Sequence, residues 1–348
     1  MRRSFLALAL MASLQATNAA SALVNIALVP VGDVGNVGKW SNSEYGGYGP
    51  DRVCGGVNYA YSIGKYEVTA GQYSDFLNAV AKTDTYSLYN PEMWNDINFG
   101  CKIQQTGSSG SYIYTVDSGF VNRPVNYVSF WDACRFTNWL QNGQKSGVQD
   151  ASTTESGAYS LNGVMNPSNS TITRNTGTTW AVTSEDEWCK AAYYKGGGIN
   201  AGFWLYPTQN DYTPSNVLSA TGLNNANYID SYGGGVGNGG MTDSRNYRTE
   251  VGAFAASPSA YGTYDQGGNV WEWNEAVIDR ANVSYRGVRG GAFSRDVYFM
   301  KDGIRHSDDP SSEGDSVGFR VSQVPEPASL GIIGLGVIVV LAHRRRSA

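Results

Sequence analysis

Histidine is nearly missing from this 348-residue chain, which has only His306 and His343. Imidazole is the commonest nitrogen ligand for zinc, copper and iron and the usual general base near neutral pH. Most histidine-built active sites therefore cannot be assembled here. Charge is sparse as well, at 16% of residues and a formal net of −5. Proline is limited to 11 residues, and the 43 glycines follow no G-X-Y period, which excludes collagen. What is plentiful excludes disorder: 41% hydrophobic and 12% aromatic residues can bury a sizeable core. No internal repeat is visible, and no linker divides residues 23–323, which read as one domain.

The two ends read differently from the middle. Arg2 and Arg3, the mostly apolar run Phe5 to Leu14, and Ala20-Ser21-Ala22 have the form of an export signal cut near Ala22. A buried first helix is the alternative. At the other end Val324-Pro325-Glu326-Pro327 precedes the uncharged stretch Ala328 to Ala342 and then Arg344-Arg345-Arg346. As a helix, residues 328–342 would be roughly 22 Å long against a hydrocarbon core of ~30 Å, a marginal transmembrane span. The arginines would stay on the cytoplasmic side, leaving everything before Pro325 outside. Residues 324–348 closely resemble the bacterial PEP-CTERM sorting tail. The resemblance implies a transient inner-membrane anchor, removal by a sorting protease, and a final place in the periplasm, on the outer surface or in the extracellular matrix. A permanent anchor is the alternative.

Without both ends, residues 23–323 keep 20 basic and 29 acidic side chains, a net of −9. Phosphate binding needs a basic face, so nucleic acid is not an expected partner, whereas bound cations are. Four cysteines in an exported chain suggest disulfides, with three possible connectivities.

Helix signals are few and specific. Thr69 with Gln72 is a capping box, and Tyr73, Phe76, Leu77 and Val80 form one face of a helix near 70–81. Ser129 with Asp132 opens a second, near 130–141, and Ser184 with Glu187 a third, near 185–194. Short strand-like runs lie at Ser111 to Val116, Tyr61 to Tyr66 and Val270 to Trp273. Three helices among short strands and long Gly-, Ser- and Asn-rich loops at 142–179 and 207–250 predict an α+β domain.

The landmarks occur in a telling order: Tyr66-Glu67-Val68-Thr69, Arg123-Pro124-Val125-Asn126-Tyr127-Val128-Ser129, and Thr183-Ser184-Glu185-Asp186-Glu187-Trp188. Then come Gly267-Gly268-Asn269-Val270-Trp271-Glu272-Trp273, Arg289-Gly290-Gly291-Ala292-Phe293 and Gly318-Phe319-Arg320. Across essentially all of 23–323 this resembles the formylglycine-generating enzyme, or sulfatase-modifying factor, family. The resemblance implies a C-type-lectin-like fold with little regular secondary structure and structural calcium. One ion would take side chains of Asn227 and Asp243 with main-chain oxygens of Tyr228 and Arg245. The other would take Asp265 and Glu272 with main-chain oxygens of Gly268 and Val270. Calcium wants six to eight oxygens, and glycine-rich turns let carbonyls converge. Glu272 can equally be the polar partner in an alternating strand whose tryptophans face the core. The resemblance also places Cys134 beside Cys189, which favours Cys134–Cys189 and Cys54–Cys101 pairing.

Catalysis in the family implies copper held by two cysteines between the Arg-Gly-Gly and Gly-Phe-Arg motifs. Here Ala292 to Val317 has no cysteine, and the nearest positions hold Ser294 or Arg295 and Phe299 or Met300. Two thiolates suit soft Cu(I) and nothing nearby replaces them, so copper is not expected and no catalytic residue is assigned. Nor does the domain's single histidine build a two-His-one-carboxylate iron site. His306-Ser307-Asp308-Asp309 is adjacency in sequence, and triad members must meet in space. Asp302, Asp308, Asp309 and Glu313 are candidates for acid/base pairs, though such pairs are common on an acidic surface. What remains is a groove walled by Arg289, Phe293, Arg295, Tyr298 and Arg305 near Trp271 and Trp273, suited to an envelope polysaccharide or a protein ligand. Arg305 and Arg320 can instead be structural. The expected function is binding or matrix structure, with cysteine or related metal-dependent oxidation as the alternative.

Overall fold

The computed structural model describes residues 23–41, 51–229 and 247–325. The expected export signal, the span at 328–342, and the calcium ligands Asp243 and Arg245 lie outside the described residues. In chain order the elements are β1 (Leu28–Val31), β2 (Lys39–Ser41), β3 (Arg52–Cys54), β4 (Tyr61–Gly64), α1 (Ala70–Val80) and α2 (Glu92–Asn95). There follow β5 (Ile103–Thr106), β6 (Ile113–Val116), α3 (Phe130–Gln141), β7 (Trp180–Val182) and α4 (Glu185–Tyr193). Last come β8 (Trp271–Arg280), β9 (Val283–Arg289), β10 (His306–Asp308), β11 (Val317–Phe319) and β12 (Val321–Gln323).

All three expected helices form, and each starts where its capping box places it. Thr69 Oγ1 accepts from the Gln72 amide at 3.2 Å while the Gln72 side chain accepts from the Thr69 amide at 3.0 Å. Ser129 with Asp132 and Ser184 with Glu187 repeat the exchange. Two amides that the first helical turn leaves unpaired are thereby satisfied at each start. The four-residue α2 escapes periodicity because it is shorter than one apolar repeat.

One antiparallel sheet has the order β1-β4-β12-β7, so β12 lies between β4 and β7. The second has the order β10-β9-β8-β11 and includes the parallel pair β8–β11. Its β8 is far longer than the run visible in sequence, because pairing resumes beyond an irregularity between Asn274 and Val277. The core joins helices to the second sheet through aromatic contacts. Phe136 of α3 meets Phe76 of α1 at 5.3 Å and Phe319 of β11 at 5.4 Å, both edge-on. Edge-to-face rings are favoured beyond the apolar area they bury.

The four cysteines are buried and none is bonded to another, so neither expected pairing is formed in this structure. Cys101 and Cys134 belong to the large helical core, while Cys54 and Cys189 share a separate cluster with Trp188, Ala192 and Tyr193. Motif order placed α3 and α4 in the chain but carried no information about which faces of them meet.

Candidate functional site

The segment from Ala292 to Val317 is filled by aromatic packing. Phe293 is fully buried and stacks on Phe99 at 5.5 Å and on Tyr247 at 6.0 Å. Phe299 meets Trp271 edge-on at 5.7 Å, and Met300 is buried with Tyr206, Ala226 and Tyr228. The His306 ring lies 5.1 Å from that of Trp271, and its Nδ1 accepts from the Ser307 amide at 2.9 Å. Burial pushes its pKa down to about 4, so the imidazole is neutral at ordinary pH. Ser294 is half-buried and Arg295 exposed.

The acidic residues of this stretch have local partners. Asp302 pairs with Lys39, Glu313 accepts from Asn90 at 2.6 Å, and Asp308 and Asp309 accept from amides of the following turn. No acid/base pair is formed by these interactions.

Two buried charge clusters flank this segment. In the first, Glu185 opens α4 and receives Arg289 Nε at 2.9 Å, Arg305 Nε at 2.7 Å and Arg52 Nη1 at 3.0 Å. Burial opposes its ionisation, but the guanidinium groups of Arg289 and Arg305 hold the carboxyl down at about 2. Arg289 also donates to the carbonyls of Asp302 and Ile304 and to Cys54 Sγ, the last at 3.2 Å. Arg289, Phe293 and Arg305 are therefore interior residues that cannot wall an open groove. Of the expected wall only Arg295 and Tyr298 reach the surface, where Lys301 lies over the Tyr298 ring.

The second cluster sits on the turn leading into β8. Glu272 accepts from Arg320 Nε at 2.5 Å and Nη2 at 2.6 Å, and from Trp188 Nε1 at 2.7 Å. Arg320 continues to the carbonyls of Gly64 and Tyr264, so it is structural. Asp265 accepts from the Gly252 amide at 2.6 Å; burial pushes its carboxyl up to about 6. Glu67, which sequence reasoning did not assign to this site, completes the set. Its Oε1 accepts from Asn269 at 3.1 Å, its Oε2 has no hydrogen-bond partner among the described residues, and burial followed by the Asp265 charge pushes its pKa well up.

The turn is tied to the neighbouring calcium candidate. The Asn269 amide donates to Asn227 O at 2.8 Å, and Asn227 Nδ2 donates to Tyr247 O at 2.9 Å. Gly268 has φ +84°, and a Cβ there would lie 2.1 Å from Asn227 O. Only glycine permits that approach. Three buried carboxylates thus face one guanidinium, an imbalance that protonation or a cation must relieve. Asp265, Glu272 and the Gly268 and Val270 carbonyls are hard oxygen donors of the kind calcium takes, but both Glu272 oxygens are engaged by Arg320 and Trp188, and among the described residues no group of three or more His, Cys, Asp or Glu side chains is set to hold a metal ion.

These features define a loop-built α+β domain whose architecture is fixed by internal ion clusters. Residues 28–324 match the sulfatase-modifying factor enzyme 1-like domain, and the chain belongs to that family. Residues 323–346 match the PEP-CTERM protein-sorting motif, which marks an exported protein with transient membrane anchoring. Among the described residues, no helix is long and apolar enough to cross a membrane. No curated protein matches the chain. Among solved structures, Treponema denticola variable protein 1 is similar at 18% identity and a TM-score of 0.50, covering 87% of this chain and 96% of that one. The crystal structure of CarF is 21% identical with a TM-score of 0.48, over 86% of this chain and 99% of that one. PvdO from Pseudomonas aeruginosa is 18% identical with a TM-score of 0.45, over 86% and 94%. The fold is the formylglycine-generating-enzyme-like, C-type-lectin-like one.

Proposed function

We propose that this exported domain works in the cell envelope or extracellular matrix by binding, or as a matrix component, and does not oxidise cysteine. One observation carries the reading. The positions nearest the family's two copper-holding cysteines carry Ser294 or Arg295 and Phe299 or Met300, with Phe299 packed on Trp271 and Met300 buried, so residues 292–317 offer no thiolate pair to Cu(I). The partly exposed Phe99 and Tyr247 rings, with Arg295 and Tyr298, offer apolar faces and cationic donors suited to polysaccharide or an extended protein segment. The sorting tail brings the sorting protease as a processing partner. Structural calcium belongs to the same reading, held by Asp265, Glu272 and the Gly268 and Val270 carbonyls, with Asn227 and the Tyr228 carbonyl contributing to a second ion.

Incubation of the purified protein with copper and a Cys-x-Pro-x-Arg peptide tests the negative part. The peptide mass is expected to stay unchanged; the mass loss of formylglycine formation would establish the competing oxidoreductase reading. A glycan array tests the positive part, with Arg295→Ala expected to weaken any bound polysaccharide at least several-fold.

A further inference from the structure

Cys54 and Cys189 are far apart in sequence, yet each is held against the other by named anchors. On β3, Arg52 bonds Glu185 at 3.0 Å and Asp186 at 2.7 Å, and just beyond Cys54 the Gly55 amide donates to Asp186 Oδ1 at 2.9 Å. Cys54 is thereby pinned on both sides to the first turn of α4. Cys189 lies four residues after Glu185, on the same helix face. A Cβ built on Gly55 would sit 3.4 Å from Cys189 Cβ, and Cys54 and Cys189 pack in one small buried cluster. Arg289 Nη2 approaches Cys54 Sγ at 3.2 Å. Among the described residues, the Arg52, Arg289 and Arg305 guanidinium groups gather at Glu185 and Asp186, beside Cys54, and a Cys54 thiolate would sit in this cationic surrounding.

We infer that Cys54 and Cys189 are a reactive dithiol that becomes a disulfide in the exported protein. The neighbouring Cys189 thiol, aided by Arg289, brings Cys54 to a pKa of about 7, while burial and the neighbouring Cys54 push Cys189 well up. This is the division of labour between an attacking and a resolving thiol. The oxidant is a small-molecule or protein disulfide of the export compartment. The Cys54 thiolate attacks one sulfur of that donor and expels the other as a thiolate. Cys189 then loses its proton, attacks Cys54 Sγ and expels the second donor thiolate. Two protein thiols are oxidised, one donor disulfide is reduced to two thiols, and the two protons pass to the expelled thiolates. Both sulfurs are buried, so the step needs local opening. The β2–β3 pairing spans only three residues per strand, with Trp40 and Val53 exposed, so its release together with the Arg52 and Gly55 anchors is the opening that would bare Cys54. Because Arg289 favours the thiolate, the bond should be more readily reduced than a structural disulfide.

Peptide mapping of the full chain, exported and purified without reductant and then denatured and alkylated, tests the inference. A Cys54–Cys189 linked peptide is expected, with Cys101 and Cys134 both alkylated. Alkylation of all four cysteines, or a link involving Cys101 or Cys134, would overturn it. Cys189→Ala should abolish the link; the combined Cys101→Ala and Cys134→Ala variant should keep it, and the wild-type map decides if either variant fails to fold. Mild reductant should lower the melting midpoint by roughly 5–10 °C, since the bond closes a loop of more than a hundred residues.

Discussion

The two buried charge clusters are opposites. Around Glu185 three guanidinium groups of the described residues converge on its carboxyl, and a group that burial should neutralise ionises at about 2. Around Arg320 three carboxylates share one guanidinium, and Glu67 and Asp265 are held above their ordinary range. Both clusters stitch a helix or turn to β8 and β9, so neither is surface decoration. Burial alone therefore does not decide what a charge does in this protein; the local stoichiometry of opposite charges does.

Removing the central acid of the first cluster should be the most damaging change. Glu185→Ala leaves Arg289 and Arg305 buried beside one another, at an expected cost of about 3–5 kcal/mol by urea unfolding. Glu67→Gln in the second should be neutral or slightly stabilising when calcium is removed, because it relieves repulsion. Equal losses from the two substitutions would erase the contrast.

The pH dependences should run in opposite directions. Glu185 contributes fully above its unfolded pKa of about 4.3, and that stability is lost as the pH falls through 2. Asp265 ionises at about 6 when folded, against about 3.9 unfolded. Its contribution is complete below pH 4 and lost as the pH rises through 6, a swing of up to about 3 kcal/mol. In chelator, Asp265→Asn should therefore gain on the parent as the pH rises from 4 to 7. A constant difference over that range would remove the claim.

Calcium sharpens the comparison further, because it should act on the anionic cluster alone. At a hundredfold excess over its dissociation constant, it should stabilise the parent by about 2.7 kcal/mol and Asp265→Asn by less. Melting curves unchanged between calcium and chelator would rule out both ions. The smallest effect lies away from both clusters: Thr69→Ala should cost about 1 kcal/mol through the lost cap of α1.

The parts of the fold legible in the sequence are those that depend on neighbours along the chain. Capping boxes at Thr69, Ser129 and Ser184 needed three-residue spacing, and the order of six motifs sufficed for the family. The parts that escaped depend on which faces meet. Arg289 and Arg305 look like a cationic groove until α4 brings Glu185 against them. Cys54 meets Cys189, not Cys101, because β3 is pinned to α4, and no spacing rule encodes that. Glu67 stood in a landmark motif with no role assigned, and only the turn at Gly268 reveals it as part of an anionic cluster. The expected groove failed for a related reason: an aromatic ring in a motif reads the same whether it lines a surface or, like Phe293, fills an interior.

The position of β12 also sets a timetable. β4 and β7 share no direct ladder; the strand that joins them is residues 321–323, the last to be paired before the sorting tail begins. A chain threaded across a membrane from its N-terminus delivers β1, β4 and β7 early, but they cannot become one sheet until almost the whole domain has emerged. Contacts this distant in sequence close slowly, because the intervening chain must first be ordered. Completion of the fold and arrival of the sorting signal are thus nearly the same event. A protein that presents its tail for processing has, by construction, just received the strand that finishes it.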